Sequence, residues 1–295
     1  GRRHYRSKSN HGLDFRKLRP VILKRIEDRS KNYPIKALIP VADEVLRARE
    51  ILHCGVSALI TRIPIWACKF CPEVYIGESG HLIQTCRGYR HHAKNKRHQW
   101  IEAQPHNVLL PVETFHLDKS FQTVIKHDRR FDFDRIPAVV ELCLQAGAAS
   151  DHRASDRNGE AVSEDELRLV GMHTLKAWES LRTGVHRLLC AYPARVCRHC
   201  SEVHVGGSGH EARTCGLFKF QRWRGSHFWE KAKVDDLVPP NLVWCRRRQD
   251  PPVLVEEGRN YYGRCPAVVD LCSKAGALVP SKYFCIMKFE GATPP

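Results

Sequence analysis

The sequence lacks the patterns that mark membrane spans and several common enzyme classes. It has no run of about 18 or more apolar residues, so no transmembrane helix is expected. It contains no His-x-Glu, which zinc deaminases place upstream of Cys-x-x-Cys. No glycine is followed by lysine, which excludes a Gly-x4-Gly-Lys-Ser/Thr phosphate loop. Because no recognisable motif pairs a nucleophile with a base, we expect a protein that is not an enzyme.

Acidic residues are scarce relative to basic ones. Of 295 residues, 48 are Lys or Arg and 32 are Asp or Glu, so the formal net charge is +16. Residues 1–36 hold 12 basic and 3 acidic residues, which is more than half of the excess. This balance favours a polyanionic partner, either nucleic acid or an anionic membrane surface. We interpret residues 1–36 as a basic arm that binds nucleic acid, or as the remnant of a transit peptide followed by a solvated helix.

One stretch rich in metal-binding residues occurs twice. Each copy reads Cys-x2-Cys-x9-His-x4-Cys, and corresponding residues lie 129 positions apart. The predicted metal ligands are Cys68, Cys71, His81 and Cys86 in the first copy and Cys197, Cys200, His210 and Cys215 in the second. Three thiolates and one imidazole complete a tetrahedral zinc site with no position left for substrate, so we expect two structural Zn²⁺ ions. Redox or disulfide cysteines are the alternative, but a histidine at fixed spacing argues against them.

The repetition extends well beyond the metal motif. Pro-Ala-Val-Val-Glu-Leu-Cys at 137–143 returns at 266–272 with Asp in place of Glu. His98 and Trp100 return as His227 and Trp229, and for these residues core packing and a functional role remain alternatives. The predicted fold is mainly α with small β elements, built as two tandem zinc-stapled helical domains related by an internal repeat of 129 residues.

The predicted organisation follows from this repeat. The predicted segments are a basic N-terminal arm at 1–36, a first zinc-binding repeat at 37–149, a linker at 150–162, a second zinc-binding repeat at 163–285 and a C-terminal tail at 286–295. The predicted helices lie at 21–28, 41–63, 137–146 and from the capping box at 163–166 toward Tyr192, with breaks at Gly171 and Gly184. The predicted strands lie at 73–77 and 124–133, and one helical turn is predicted at 81–86.

Basic residues interleaved with aromatic rings follow the last cysteine of each motif. Such runs suit single-stranded nucleic acid, because phosphates bind Lys and Arg while bases stack on rings. The candidate RNA contacts are Arg87, Arg90, Lys94, Lys96, Arg97, Arg130, Arg135, Lys219, Arg222, Arg224, Lys231, Lys233, Arg259 and Arg264. The alternative is an ordinary solvated charged surface.

Over about residues 14–285 the chain resembles the plant APO family, named for accumulation of photosystem one. The resemblance rests on the two metal motifs, the repeated Pro-Ala-Val-Val-(Glu/Asp)-Leu-Cys, and the segments 38–46 and 127–131. It implies an organelle-targeted protein that binds RNA and supports group II intron splicing without catalysis of its own. The implied partners are intron RNA and other splicing factors, with no membrane and no small-molecule substrate. The implied location is the mitochondrion, with the chloroplast stroma as the alternative.

Two other functions fit the same residues. Zinc modules of this size also serve as protein–protein adaptors, and a basic surface would dock an acidic partner within an organellar ribonucleoprotein. An iron–sulfur or zinc carrier is a further alternative, which visible absorbance or labile metal would reveal.

Overall fold

The computed structural model describes residues 19–21, 24, 33–86, 97–117, 124–149, 163–216 and 225–289. The predicted linker, most of the predicted basic arm and most of the predicted helix at 21–28 lie outside these ranges, and the described residues 19–21 and 24 are helical. Within the described part of the chain, no helix combines the length and the apolar character needed to cross a membrane.

Helices and short strands alternate along the chain. The α-helices are α1 (Ile39–Ile60), α2 (Pro105–Val108), α3 (Ala138–Gln145), α4 (Glu164–Ala191), α5 (Val234–Leu237), α6 (Ala267–Lys274) and α7 (Phe284–Met287). The strands are β1 (Ile65–Cys68), β2 (Val74–Ile76), β3 (Trp100–Glu102), β4 (Glu113–Phe115), β5 (Arg135–Pro137), β6 (Ala194–Cys197), β7 (Val203–Val205), β8 (Trp229–Lys231), β9 (Leu242–Cys245) and β10 (Gly263–Pro266). Short 3-10 turns lie at Lys36–Leu38, Arg130–Asp132, Glu256–Gly258 and Ser281–Tyr283.

The long helices α1 and α4 pack antiparallel at the centre of the molecule. Gly55 of α1 faces Thr174 of α4, and Gly184 of α4 faces Val45 of α1. A Cβ at Gly55 would lie 2.0 Å from the Thr174 hydroxyl, and one at Gly184 would lie 2.3 Å from Val45. These two glycines, 129 positions apart, therefore permit the close approach of the helices. The prediction that Gly184 breaks the helix was wrong, because its missing side chain serves packing between helices.

The start of α4 follows the predicted capping box. The Ser163 hydroxyl accepts a hydrogen bond from the Glu166 backbone N–H at 3.4 Å, and the Glu166 carboxylate accepts one from the Ser163 backbone N–H at 3.2 Å. The helix then runs unbroken through Gly171 to Ala191. Gly171 lies against Ala275, where a Cβ would come within 2.8 Å of the alanine methyl group.

Within the described residues, the strands form two three-stranded and two two-stranded antiparallel sheets. The three-stranded sheets have the orders β2-β1-β3 and β7-β6-β8, and the pairs are β4-β5 and β9-β10. In the first sheet Cys68 of β1 lies opposite Trp100 of β3, and in the second Cys197 lies opposite Trp229. Each metal motif is thus held by one three-stranded sheet.

Each three-stranded sheet packs against elements of the other half of the chain. The Leu82 N–H donates to the Leu254 carbonyl, and the Glu211 N–H donates to the Ile125 carbonyl, both at 2.8 Å. In the same way the Lys274 ammonium reaches the Ile76 carbonyl at 2.5 Å, and the Gln145 amide reaches the Val205 carbonyl at 3.1 Å. One hydrophobic core joins helices and strands from both halves. The two halves therefore share hydrogen bonds and one hydrophobic core, and they do not pack as independent units.

Two local predictions were wrong because tertiary partners overrode local patterns. Residues 124–133 form no strand; they contain a 3-10 turn at Arg130–Asp132, and the Ile125 carbonyl serves the other half of the chain. Residues 81–86 form no helical turn, since the Leu82 N–H binds Leu254 and the Ile83 N–H binds the His81 ring at 3.1 Å. In contrast, the predicted strand at 73–77 is present as β2.

Candidate metal centres and nucleic-acid interface

Three cysteines and one histidine converge in each half. In the first half, Cys68 Sγ lies 3.8 Å from Cys86 Sγ, and Cys71 Sγ lies 3.5 Å from His98 Nδ1. The second half repeats this arrangement: the Cys197–Cys215 sulfur distance is 4.0 Å, and Cys200 Sγ lies 3.3 Å from His227 Nδ1. In each group the four ligand atoms lie within 4.8 Å of one another.

These distances fit a tetrahedral metal ion. Zinc bonds of about 2.3 Å to sulfur and about 2.0–2.1 Å to nitrogen make the tetrahedron's S···S edge about 3.8 Å and its S···N edge about 3.5 Å. The observed edges agree with these values to within about 0.2 Å. Three sulfurs and one imidazole nitrogen, each belonging to a buried or half-buried residue, are also the donor set of closed structural sites.

The fourth residue differs from the sequence prediction. The structure places His98 and His227 beside the sulfurs, where the motif predicted His81 and His210. His81 Nε2 lies 3.2 Å from a Glu73 oxygen, and its Nδ1 accepts the Ile83 N–H. Pairing of β3 with β1 brings His98, just before β3, across from the Cys-x-x-Cys turn. The recurrence of His98 as His227 at the 129-residue offset was the sequence signal that would have found them.

In both halves a threonine hydroxyl lies next to the Nε2 atom of the imidazole, on the side of the ring away from the sulfurs. His98 Nε2 lies 3.0 Å from the Thr85 hydroxyl and 3.6 Å from a Glu73 oxygen, while Thr85 also donates to Glu73 at 2.8 Å. In the second half His227 Nε2 lies 3.0 Å from the Thr214 hydroxyl. A partner at Nε2 fixes the ring orientation and leaves Nδ1 free for a metal.

Glu73 remains ionised in this setting. Burial by itself would raise the pKa of the Glu73 carboxyl, but hydrogen bonds from His81 and Thr85 and the nearby His98 outweigh burial and lower the pKa to about 2. Glu202, the corresponding residue of the second half, also has its pKa lowered to about 2 against the effect of burial, by His210 and Arg135. Sequence reasoning missed both carboxylates, although each lies two residues after a Cys-x-x-Cys pair.

Backbone N–H groups favour the thiolate of the first cysteine in each motif. Burial raises the pKa of Cys68, but the N–H groups of Phe70, Cys71 and Gln99 outweigh it, and the net pKa is lowered. The Phe70 N–H lies 3.5 Å from the Cys68 sulfur. The thiolate is the form that binds metal, so this environment suits a ligand.

The two repeated tryptophans pack against the candidate metal centres. The Trp100 indole N–H donates to the His81 carbonyl at 3.2 Å, and its ring lies 4.7 Å from the ring of His98. Trp229 donates to the His210 carbonyl at the same distance and stacks on His227 at 4.9 Å. These contacts favour the packing alternative for both rings. They also explain Gly80 and Gly209, where a Cβ would lie 2.1 Å from the neighbouring indole.

The candidate RNA contacts differ in where they lie: some are outside the described residues, some are on the described surface, and two make contacts within the protein. Outside the described residues lie Arg87, Arg90, Lys94, Lys96, Lys219, Arg222 and Arg224. Exposed on the described surface are Arg97, Lys231, Lys233 and Arg259, of which Arg259 lies 3.4 Å from Glu256. Arg130 lies 4.1 Å above the ring of Phe131, whose side chain is 82% exposed.

Two of the candidate arginines make contacts within the protein. Arg135 reaches Glu202 at 2.5 Å and the Glu113 carbonyl at 3.2 Å, and it lies 4.6 Å above the ring of Phe115. Arg264 reaches the Leu242 carbonyl at 3.0 Å and lies 4.9 Å above the ring of Trp244. Arg135 thus links the two halves, whereas both of these contacts of Arg264 lie within the second half. RNA contact by either arginine stays a prediction.

The fold and its sites define a protein of two tandem domains, made of helices and small sheets, with one candidate Cys3His metal centre in each half. A model of the APO RNA-binding family matches residues 8–170 and 155–286. The chain belongs to this family, which confirms the resemblance found in the sequence.

Three proteins of Arabidopsis thaliana illustrate the relationship. APO protein 2, chloroplastic, is 33% identical over 301 residues, which cover 88% of this chain and 68% of that protein. APO protein 1, chloroplastic, is 32% identical over 92% of this chain and 73% of its own length. APO protein 3, mitochondrial, is 32% identical over 95% of this chain and 79% of its own length. No solved structure matches this chain.

Proposed function

We propose that this protein binds organellar RNA and promotes the splicing of group II introns without catalysing the reaction itself. Membership of the APO RNA-binding family across both halves of the chain carries this proposal. The net charge of +16 supports it, because cationic side chains bind the phosphate backbone and allow RNA helices to approach one another. An intron that must pack its own helices benefits from such neutralisation.

We propose that each metal centre holds one structural Zn²⁺. The proposed ligands are Cys68, Cys71, Cys86 and His98 in the first centre and Cys197, Cys200, Cys215 and His227 in the second. His81 and His210 then support the ligands from outside the coordination sphere. A bound ion would hold the three-stranded sheet of each half together, and the sheet in turn positions the surface around it.

Among the described residues, we propose the exposed ring of Phe131 as the site where an RNA base stacks. Its side chain is 82% exposed, and Arg130 and Arg129 lie beside it in the chain. An aromatic ring flanked by cations suits a base stacked next to its phosphate. The segments 87–96 and 217–224 add further cations to the proposed surface, according to the sequence alone.

Binding of the zinc-loaded chain to RNA across a salt series tests the proposal. The probes are a group II intron transcript, an unrelated single-stranded RNA and duplex DNA. We expect tighter binding to the intron transcript than to duplex DNA and a steep loss of affinity with salt. Equal affinity for all three probes would reduce the protein to a generic polycation and overturn the proposal.

Splicing requires a separate measurement. In plants that lack the protein, the ratio of spliced to unspliced transcripts should fall for a subset of organellar group II introns. Unchanged ratios for every such intron, together with intact RNA binding, would overturn the splicing part alone. We propose the mitochondrion as the location, with the chloroplast stroma as the alternative, since the relatives carry both descriptions in their names.

A zinc-dependent adaptor remains the second candidate function. Apolar side chains near the end of the described chain favour it, since Leu278 is 79% exposed and Phe284, Ile286 and Phe289 are also exposed. A protein partner bound there would not compete with single-stranded RNA. Loss of that partner on addition of RNA would argue against a separate adaptor surface.

A further inference from the structure

A pair of cysteines outside both metal centres lies in unusually close contact. Cys245 ends β9 and Cys265 lies in β10, and their sulfurs are 2.8 Å apart. Both side chains are buried. In the strand register Cys245 faces Gly263 and Cys265 faces Val243, so the two cysteines are diagonal neighbours on one face of the hairpin.

This sulfur distance does not suit a shared metal ion. Two thiolates on one tetrahedral zinc lie about 3.8 Å apart, as the metal-centre cysteines do. At 2.8 Å the pair would have to separate by about 1 Å to bind zinc. A third potential ligand, Asp270, is engaged by the Lys274 ammonium at 2.5 Å. The pair is much nearer the geometry of a disulfide, whose sulfurs are about 2.05 Å apart.

We propose that Cys245 and Cys265 close to a disulfide that ties β9 to β10. Each thiol gives up its hydrogen, the two sulfurs form one bond, and an oxidant takes the two electrons and two protons. A peroxide does this by becoming two molecules of water, and a disulfide oxidant by becoming two thiols. This inference does not depend on RNA binding or on the two metal centres.

The link is particular to the second half of the chain. The corresponding positions of the first half, 129 residues earlier, hold His116 and Ile136. There His116, just after β4, lies with its Nδ1 2.7 Å from a Glu141 oxygen and so links the end of this strand to helix α3 by a hydrogen bond. In the second half Cys245 and Asp270 occupy these two positions and also lie within 4.8 Å of each other. Cys265, which stands where the first half has Ile136, adds a second thiol beside Cys245.

The hairpin that the disulfide would tie supports the first metal centre. Trp244, the neighbour of Cys245 on β9, donates to Glu73 at 2.8 Å, and Glu73 lies 3.6 Å from the imidazole of His98. Fixing β9 against β10 would hold Trp244 in place beneath that centre. Burial also shields the bond, so oxidation and reduction should both require the hairpin to open.

Peptide mapping of the full zinc-loaded chain tests the proposal directly. The protein is incubated with hydrogen peroxide or with oxidised glutathione, alkylated in denaturant without reductant, and digested with trypsin. We expect residues 234–246 linked to residues 265–274, at the summed mass less two hydrogens and with Cys272 carrying one alkyl group, and release by reductant. Alkylation of both Cys245 and Cys265 after each treatment would overturn the proposal.

Variants assign the bond to the correct sulfur. Cys272 shares a tryptic peptide with Cys265, so Cys272→Ser should keep the linked peptide and Cys265→Ser should lose it. In oxidised wild type and in Cys272→Ser, reductant should lower the Tm by several degrees, whereas Cys265→Ser should not respond. A zinc content of three per chain, with both thiols free, would indicate a third metal site and also overturn the proposal.

Discussion

The Trp244 indole N–H donates a hydrogen bond of 2.8 Å to Glu73, so a residue of one half holds the carboxylate behind the metal centre of the other. The corresponding residue 129 positions earlier is Phe115, which has no donor. There Arg135 supplies the missing donor and reaches Glu202 at 2.5 Å. The two metal centres are thus supported by different side chains at equivalent places.

Trp244→Phe removes this hydrogen bond and keeps most of the ring. We expect a loss of about 1.5–3 kcal/mol in the free energy of unfolding, since the acceptor is a charged and half-buried carboxylate. The matched control is Trp66→Phe, which removes a 2.9 Å bond to the neutral Gly77 carbonyl within one sheet. Urea unfolding monitored by circular dichroism measures both, and an equal loss in the two variants would contradict the role of Glu73.

Replacing the histidines separates metal ligands from their supports. We expect His98→Ala and His227→Ala each to lose one zinc per chain, because Nδ1 of each ring faces the sulfurs. His81→Ala should retain two zinc ions, with weaker binding at one of them. Metal analysis after dialysis against a mild chelator distinguishes the residues. Loss of zinc from His81→Ala with full retention in His98→Ala would show that His81 is the fourth ligand, as the sequence motif predicted.

The glycines before His81 and His210 should resist substitution for a steric reason. Gly209→Ala would place a methyl group 2.1 Å from the Trp229 indole, and we expect a loss of about 1–3 kcal/mol from overpacking. Gly207→Ala is the control in the same loop, because nothing lies within 4 Å of its Cβ position. Thermal melts of the two variants suffice, and equal melting temperatures would refute the steric argument.

Loss of one metal centre should disturb the opposite half of the chain. Cys68→Ser should lower the Tm and speed hydrogen exchange in β9 and β10, because Trp244 of β9 donates to Glu73 and the segment between the two strands accepts the Leu82 N–H at Leu254. Cys190→Ser, at an exposed position, is the control. Faster exchange confined to residues 65–86 would show that the halves are energetically independent.

Acidification should release the metal in the wild type, since protons compete for thiolates and imidazole.

Replacing Phe131 tests the proposed RNA surface without lowering the stability of the protein. Phe131→Ala should weaken binding to single-stranded RNA by about 1–3 kcal/mol, roughly 5- to 150-fold, if a base stacks on the ring. Arg130→Gln should lower the salt dependence of binding by about one phosphate contact. Because Phe131 is 82% exposed, the Tm should not change. Leu278→Ala, also highly exposed, serves as the control, and equal affinities for it and Phe131→Ala would remove this ring from the interface.

Local and repeated signals were sufficient for much of the fold. The capping box at Ser163 and the apolar periodicity of residues 41–63 correspond to helices α4 and α1, because caps and amphipathic faces act within a few residues. The second occurrence of the cysteine motif singled out the six sulfurs that the structure gathers in two groups. Family membership also followed from these motifs.

Other features depend on partners far away in the chain. Strand pairing between β1 and β3 brings His98 to the sulfurs, and no spacing rule expresses that pairing. The segment 124–133 alternates as a strand would, yet the Ile125 carbonyl is taken by Glu211 of the other half. The exchange of partners between the halves and the contact of Trp244 with Glu73 arise in the same way. The sequence by itself determined the long helices and the six candidate sulfur ligands. Tertiary packing decided which imidazole lies beside those sulfurs, because buried polar groups bind whichever partner the assembled core brings within reach.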